Sequence, residues 1–366
     1  MVPQRFTRVQ AALRQAGLDA LLVTHPPNVR YLTGLQASAG VAVVTIQTCL
    51  LVVDFRYATS AHTLAAYHPG LEVEVAEGSI DSAAAAAIRR LGVRRAGIEA
   101  EHLSVSRFHR LGSALADGPL RPADSPVVMS TERFVERMRA VKDSVEVEVL
   151  REAGRRISAV ARNLRQWVGP GVSELDAAVA VDAAMRAAGF ERPAFETIVA
   201  SGPNGALPHA RPTGRIIAEG DGVVLDFGGV YDGYCVDLTR TLQIGSTPAG
   251  FRHLFEAVRE AQAAALGAVK PGAFPADIDG AARGVLAARG LGEAFGHGTG
   301  HGLGLEVHEE PRISKLAPAG EPVVAGMVFT IEPGAYVAGV GGVRIEDDVL
   351  VTPTGCELLT DVAVEL

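Results

Sequence analysis

The sequence predicts an α+β protein in which an α/β layer forms the first third of the chain and a domain of helices with a mostly antiparallel sheet follows it. Three features lead to this prediction. Helix-like and strand-like apolar patterns alternate up to about residue 115, longer helices and strands come after them, and a stretch rich in proline and glycine separates the two regions. We therefore expect two domains, residues 1–125 and 126–366.

The first region is expected to alternate short buried strands with helices. Short apolar runs predict strands at residues 20–24, 40–44, 49–53 and 96–99. Apolar positions at helical spacing predict helices at residues 5–16, 83–90 and 104–115. The segment 117–126 contains one glycine and three prolines, which interrupt regular structure, and is the predicted domain boundary.

The second region is expected to combine long helices with antiparallel strands. Asp143 stands three residues before Glu146, a capping-box spacing that marks the start of a long helix. The predicted helices cover residues 131–141, 143–169, 173–189, 248–269 and 275–289. The predicted strands cover residues 223–227, 234–243, 327–332 and 343–351.

The composition argues against several classes of function. The chain has 366 residues and a formal net charge of −8, which does not suit a nucleic-acid-binding surface. Its three cysteines form no C-x-x-C pair, so we expect neither a disulfide framework nor a thiolate zinc site, and a reducing cytoplasm fits. No apolar run reaches the ~20 residues that a membrane-spanning helix needs, and we expect no membrane association.

Four acidic residues lie in or at the ends of apolar strand patterns: Asp226, Asp237, Glu332 and Glu346. A buried ionised carboxylate is costly unless it is paired or bound to a metal. Taken singly, Asp226 could end a turn and Asp237 could lie on a solvent-facing strand face. Glu346 could form a simple ion pair with Arg344, which strand alternation places on the same face.

A glycine-rich segment, residues 296–308, carries His297, His301 and His308. Its spacing matches neither H-E-x-x-H nor the phosphate-binding G-x-G-x-x-G loop, and the chain has no G-x-S-x-G motif of serine hydrolases. For His297 the expected interpretation is an ordinary hydrogen-bonded loop histidine. His301 together with the four strand acids favours a pair of divalent cations, for which Mn²⁺, Co²⁺ and Zn²⁺ are candidates.

These residues resemble the motifs of the pita-bread metallopeptidases, specifically the prolidase and aminopeptidase P branch. The resemblance covers the whole chain and is weaker before about residue 125, where it rests on the segments 28–34 and 53–57. Five motifs follow in the order of the family: Leu-Asp-Phe-Gly-Gly at 225–229, Asp-Leu-Thr-Arg-Thr at 237–241, His-Gly-Thr-Gly-His-Gly at 297–302, Thr-Ile-Glu-Pro-Gly at 330–334 and Val-Arg-Ile-Glu-Asp at 343–347. The resemblance implies a C-terminal pita-bread domain and an N-terminal α/β domain of the creatinase/prolidase type.

The resemblance also implies a centre with two divalent metal ions per subunit. Asp226 would chelate one ion with both oxygens, while Asp237 and Glu346 would bridge the two ions. His301 and Glu332 would complete the second ion's coordination. We expect Mn²⁺, with Co²⁺ or Zn²⁺ as alternatives, in a cytoplasmic homodimer.

The substrates implied by the resemblance are peptides or dipeptides with proline in the second position. Glu332 would accept a proton from the attacking water, and His308 would stabilise the developing oxyanion. His209 would orient the proline side of the substrate. Arg344 matches an active-site arginine of the family, and Arg312 matches an arginine of archaeal-type prolidases.

The sequence supports two related activities. Arg312 could hold the terminal carboxylate of a dipeptide, but the more distal arginine of eukaryotic prolidases is replaced around Pro318. We expect an Xaa-Pro aminopeptidase of the aminopeptidase P type, with an Xaa-Pro dipeptidase (prolidase) as the alternative. A non-catalytic peptide-binding protein of the same fold is a more distant alternative, which the presence of all five ligand residues disfavours.

Overall fold

The computed structural model describes residues 2–116 and 126–365, and the chain divides into two compact units, Met1–Arg139 and Ala140–Leu366. The predicted boundary segment, 117–126, lies outside the described residues except for Pro126. The division falls at Arg139–Ala140 and not at residue 125, because the strand Val127–Thr131 pairs with Arg95–Glu99 and so belongs to the sheet of the first unit.

A mixed sheet forms the centre of the first unit, with strand order β4-β3-β2-β1-β5-β6. Strands β1–β2 and β2–β3 pair antiparallel, whereas β3–β4, β1–β5 and β5–β6 pair parallel. Its strands are β1 (Ala20–Val23), β2 (Val41–Thr45), β3 (Cys49–Val53), β4 (Leu71–Val75), β5 (Arg95–Glu99) and β6 (Val127–Thr131). The helices are α1 (Val2–Ala16), α2 (Pro26–Thr33), α3 (Ala58–Tyr67), α4 (Ile80–Arg90), α5 (Val105–Ala116) and α6 (Glu136–Ala140), which ends at the division.

The core of the first unit lies between this sheet and the apolar face of α4. Ala84 and Ile88 of α4 are buried against Leu22 of β1 and Val43 of β2. The helix predicted at residues 131–141 is wrong over its first half, because β6 continues to Thr131 as the sheet edge, and only Glu136–Ala140 is helical.

The second unit consists of helices packed on antiparallel sheets. Its helices are α7 (Ser144–Ala161), α8 (Glu174–Ala187), α9 (Ala249–Ala268) and α10 (Pro275–Ala288). Its strands are β7 (Arg192–Pro193), β8 (Ile198–Ser201), β9 (Gly222–Tyr231), β10 (Tyr234–Gln243), β11 (Gly300–Gly302), β12 (Glu309–Ile313), β13 (Val328–Ile331), β14 (Gly334–Val337), β15 (Gly341–Arg344), β16 (Asp347–Val351) and β17 (Cys356–Leu358). Short 3₁₀ turns are found at Leu164–Gln166, Gly202–Ala206 and Gly292–Ala294 in this unit, and at Phe55–Tyr57 in the first unit.

The capping box predicted for α7 is present. The Asp143 carboxylate accepts from the Glu146 amide at 3.1 Å, and the Asp143 amide donates to the Glu146 carboxylate at 2.9 Å. This pair satisfies amides that the first turn of a helix cannot bond internally. The helix ends at Ala161 and not at residue 169, and a 3₁₀ turn at Leu164–Gln166 follows it.

The second unit contains three sheets. The first has the order β10-β9-β7, and β8 also pairs with β9. The second has the order β12-β11-β13-β16-β17, and the third is the pair β14-β15. Helices α7 and α8 cover one face of β9 and β10, and α9 and α10 cover one face of β13 and β16. Because strand side chains alternate between faces, the residues that do not contact the helices point to the opposite side. This leaves the alternate, polar positions of both sheets available for a site.

The strand predicted at 343–351 is two strands in the structure. Strand β15 pairs with β14, and β16 pairs with β13, so Ile345 and Glu346 lie at the change of partner. Two backbone amides then donate hydrogen bonds between the sheets: the Glu346 amide to the Thr239 carbonyl at 3.1 Å, and the Asp237 amide to the Asp348 carboxylate at 3.0 Å. Among the helices that the structure describes, none is both long and apolar enough to cross a bilayer.

Candidate metal centre

The β9–β10 hairpin positions the first two acids. Asp226 pairs in register with Thr239, and Asp237 pairs with Gly228. Leu225 and Phe227 on β9 are buried in the helix-facing core, so period-two alternation turns Asp226 to the other side. Asp237 is only 5% exposed, although it carries a carboxylate.

The second sheet supplies the remaining predicted ligands. His301 lies on β11, Glu332 directly follows β13, and Glu346 lies between β15 and β16. The His301 Nε2 atom is 3.3 Å from Glu332 Oε1 and 3.9 Å from Asp237 Oδ2. A Cβ added at Gly300 would collide with the Thr330 carbonyl, so the close approach of β11 to β13 requires glycine there.

Three of the five predicted ligands form a tight cluster. Asp237, His301 and Glu346 each offer one ligand atom, and these atoms lie within 4.8 Å of one another. Glu332 adjoins the cluster through its contact with His301. Asp226 contributes its charge to the same site, but its Oδ2 atom accepts a hydrogen bond from Arg344 Nη2 at 2.5 Å.

Burial and mutual repulsion raise the pKa values of three of these carboxylates. Burial, and then repulsion from Glu346, raises the pKa of Asp237 well above its usual range. Burial, followed by the charges of Glu332 and Asp226, likewise raises the pKa of Glu346, and burial raises the pKa of Glu332. Burial lowers the pKa of His301, so its imidazole is favoured in the neutral form that binds metals.

The donor set fits divalent cations. Asp226 Oδ1 and Asp237 Oδ1 are buried and have no hydrogen-bond partner among the described residues. Buried carboxylate oxygens are normally hydrogen-bonded or bound to a cation, and the neighbouring Arg344 forms its ion pair with Asp226, which leaves Asp237 Oδ1 without a partner among the described residues. Carboxylates with one imidazole match Mn²⁺, Co²⁺ or Zn²⁺.

The histidines and the arginine predicted to contact substrate lie at the rim of the cluster. His308 is partly exposed, with its ring centroid 4.3 Å from that of His301, and partial desolvation followed by the charge of His301 lowers its pKa. Arg312 is exposed on β12, in register with His301. His209 is exposed and follows Pro208, whose carbonyl accepts from Arg344 at 3.2 Å.

Arg344 does not form the simple pair with Glu346 that strand alternation allowed. Arg344 is 3% exposed and its guanidinium contacts Asp226, whereas the Glu346 carboxylate accepts from the Thr239 hydroxyl at 2.6 Å. Both side chains lie on the same side, since Arg344 Nε also donates to the Thr239 hydroxyl at 3.2 Å. The guanidinium pairs with Asp226 because that carboxylate lies opposite Thr239 in the β9–β10 register.

Sequence reasoning did not identify Tyr336 and Asp348. The Tyr336 hydroxyl accepts from Arg344 Nη1 at 2.6 Å and lies 3.0 Å from His297 Nε2, and burial raises its pKa to about 12. Asp348 is fully buried and accepts from the Asp237 amide. A second acid two residues after Glu346 was a visible signal for Asp348, but no spacing pointed to Tyr336. His297 is a hydrogen-bonded loop histidine, as expected.

Comparison with known proteins assigns the chain to a family. The model of metallopeptidase family M24 matches residues 148–353, and that of the creatinase/prolidase N-terminal domain matches residues 5–141. The chain belongs to metallopeptidase family M24, with a creatinase/prolidase N-terminal domain. The predicted family and fold class are thereby confirmed.

Three similar proteins span nearly the whole chain. The Xaa-Pro dipeptidase of Pyrococcus horikoshii is 33% identical over 99% of this chain and 98% of its own length. The structure of an Xaa-Pro dipeptidase from Bacillus anthracis has a TM-score of 0.94 at 34% identity and covers 100% of this chain and 99% of its own. That of an X-Pro aminopeptidase from Thermotoga maritima has a TM-score of 0.86 at 33% identity, covering 97% and 99% respectively.

Proposed function

We propose that this metallopeptidase is an Xaa-Pro dipeptidase that holds two divalent cations between Asp226, Asp237, His301, Glu332 and Glu346. The observation that carries the proposal is the buried group of carboxylates around His301, with acidic oxygens that have no hydrogen-bond partner among the described residues. Full-length similarity to proteins named Xaa-Pro dipeptidases supports the substrate class.

This proposal takes the alternative that the sequence left open, and not the preferred aminopeptidase P. Similarity to dipeptidases supports it better, although an X-Pro aminopeptidase shares the fold. Arg312 also suits a dipeptidase, because its exposed guanidinium beside the cluster can form a paired hydrogen bond with the terminal carboxylate of a dipeptide.

The side chains at the site have separate roles in the proposed hydrolysis. Bound cations would polarise the scissile carbonyl and make water easier to deprotonate. Glu332, whose carboxylate lies 3.3 Å from His301 Nε2 beside the cluster, accepts the proton of the attacking water as general base. His308 is favoured in its neutral form and donates an N–H to the carbonyl oxygen as negative charge develops.

Two residues are proposed to hold the substrate. His209 orients the proline side from its loop next to Pro208, and Arg344 fixes both that loop and Asp226. Arg344 therefore couples the position of the substrate-facing loop to the position of a cation ligand.

The test is hydrolysis of Gly-Pro and of Arg-Pro-Pro by purified protein with and without Mn²⁺. We expect Mn²⁺-dependent cleavage of Gly-Pro and little cleavage of the tripeptide. Cleavage of the tripeptide alone would support aminopeptidase P, and metal binding without cleavage of either would support the non-catalytic alternative. Asp237→Asn is the matched inactive control.

The remaining sequence-based expectations stay predictions: Mn²⁺ as the native metal, a homodimer, a cytoplasmic location and no nucleic-acid partner. Metal analysis of protein purified without added metal tests the first, and analytical ultracentrifugation tests the second.

A further inference from the structure

Lys142 and Glu309 form a buried ion pair in the second unit. Their side chains are 1% and 5% exposed, and Lys142 Nζ lies 3.3 Å from Glu309 Oε2. The backbone of Lys142 is also fixed, since its amide donates to the Gly326 carbonyl at 2.8 Å. Removing two charges from water costs several kcal/mol per ion, so a buried pair needs an explanation beyond general stability.

The carboxylate of Glu309 organises the loop before it. Its Oε1 atom accepts from the Glu306 amide at 3.1 Å, and a Cβ at Gly304 would come within 2.8 Å of Oε2. Gly304 is itself fixed, because its amide donates to the Glu306 carbonyl at 3.0 Å and its carbonyl accepts from the Cys235 amide at 2.6 Å. The loop 304–308 therefore bends around the Glu309 carboxylate.

His308 is the last residue of this loop and directly precedes Glu309. Its side chain is exposed, yet its ring lies 4.3 Å from that of His301. An exposed side chain is held by little packing, so the position of its backbone decides where its ring lies. That backbone is set by the neighbouring Glu309, whose carboxylate is held by Lys142.

We propose that Lys142 is a positioning residue, which acts through Glu309 to hold His308 beside the metal cluster. The inference rests on the proposed function only for the role of His308 in hydrolysis. A purely structural ion pair would affect stability, whereas a positioning pair affects turnover through His308.

The first test measures kcat and KM for Gly-Pro hydrolysis, with bound Mn²⁺ determined for each variant. We expect Lys142→Met to lower kcat about tenfold or more with KM and metal content near those of the unchanged protein, because small misplacements of a catalytic group are costly. In a His308→Ala background the same substitution should have no further effect on kcat. Equal losses in both backgrounds, or no loss in either, would overturn the proposal.

A double variant keeps the test informative if Lys142→Met folds poorly, and a variant at an exposed lysine provides the control. Lys142→Met/Glu309→Gln removes both charges and leaves no unpaired buried ion, so it should regain thermal stability while kcat stays low. Recovery of kcat together with stability would show a structural pair only. Lys270→Met, at an exposed lysine, is the control and should match the unchanged protein.

A second readout does not depend on activity. The ring signals of His308, assigned with His308→Ala, should shift in the NMR spectrum of the double variant, while those of the exposed His253 should not. An unshifted His308 signal would overturn the positioning role even if the protein cleaved no dipeptide. Failure of the proposed function and failure of this inference are therefore distinguishable.

Discussion

Glu346 combines near-complete burial with a negative charge and acidic neighbours. It is 2% exposed, and burial followed by the charges of Glu332 and Asp226 raises its pKa well above the usual range. In metal-free protein the folded state keeps this proton to a higher pH than the unfolded state does. The protonated Glu346 side chain therefore contributes fully to the free energy of unfolding below the ordinary glutamate pKa. This contribution is lost as the pH rises through the folded-state pKa.

Glu346→Gln should consequently stabilise the metal-free protein, and the gain should grow as the pH rises above the ordinary glutamate pKa towards the raised folded-state pKa, by at most about 1.4 kcal/mol per pH unit. Urea unfolding of chelator-treated protein measures it. With saturating Mn²⁺ the order should reverse, because the variant loses a ligand. A difference independent of pH would contradict the prediction. Glu293→Gln, at an exposed site, is the control.

His308 tests whether a residue near the cluster acts on substrate or holds metal. His308→Ala should lower kcat by about 100-fold, the scale of losing one oxyanion donor, with both cations retained. Steady-state kinetics and metal analysis on the same sample check this. Empty metal sites in the variant would show that His308 has been given the wrong role. His253→Ala, whose ring contacts the Arg289 carbonyl at 3.1 Å, should leave both unchanged.

At the scale of elements, glycine determines how closely β11 approaches β13. Gly300 lies against the Thr330 carbonyl, and His301 follows it directly. Gly300→Ala should destabilise the protein by about 1–3 kcal/mol, the usual cost of overpacking, and weaken Mn²⁺ binding by moving His301. Unfolding curves and metal titration report the two effects separately.

The matched control is Gly280→Ala in α10. No atom lies within 4 Å of a Cβ built there, and the position is exposed. The substitution should stabilise the helix by about 0.5–1 kcal/mol and leave metal binding unchanged. Equal effects of the two substitutions would mean that the approach of β11 to β13 does not control the site.

The elements show what sequence patterns can and cannot specify. Period-two alternation correctly placed Asp237 and Thr239 on the face opposite the helix-packed residues of β10, because it depends only on local geometry. The same rule put Arg344 and Glu346 on one face, where both contact the Thr239 hydroxyl. It could not show that Arg344 pairs with Asp226, because that partner lies on a different strand.

At the scale of the whole molecule, all five proposed ligands belong to the unit Ala140–Leu366. Binding of Mn²⁺ should therefore increase hydrogen-exchange protection in β9, β10, β11 and β13, with little change in β1–β5. Exchange measured by mass spectrometry with and without Mn²⁺ tests this. Comparable gains in protection in both units would contradict this prediction. In the Asp237→Asn variant, Mn²⁺ should increase protection in neither unit.

The fold class and the grouping of the acids with His301 could be predicted, because motifs separated by about a hundred residues each carried buried acids or glycines. The boundary between the two units was harder to predict from the sequence. Residues 127–131 join the first unit by pairing with β5, a long-range contact that local proline and glycine content does not report. Tyr336 was invisible for the same reason, since its importance lies in contacts with Arg344 and His297.

The Arg344–Asp226 contact has a consequence for how the site is filled. A permanent cation at one edge offsets part of the repulsion among the acids, so the empty site can keep its shape while the other carboxylates remain protonated. We therefore expect ions to enter and leave by exchanging with protons, without prior unfolding of the domain. A chelator should remove the bound metal reversibly, and adding the metal back should restore the metal-bound protein within the time of mixing.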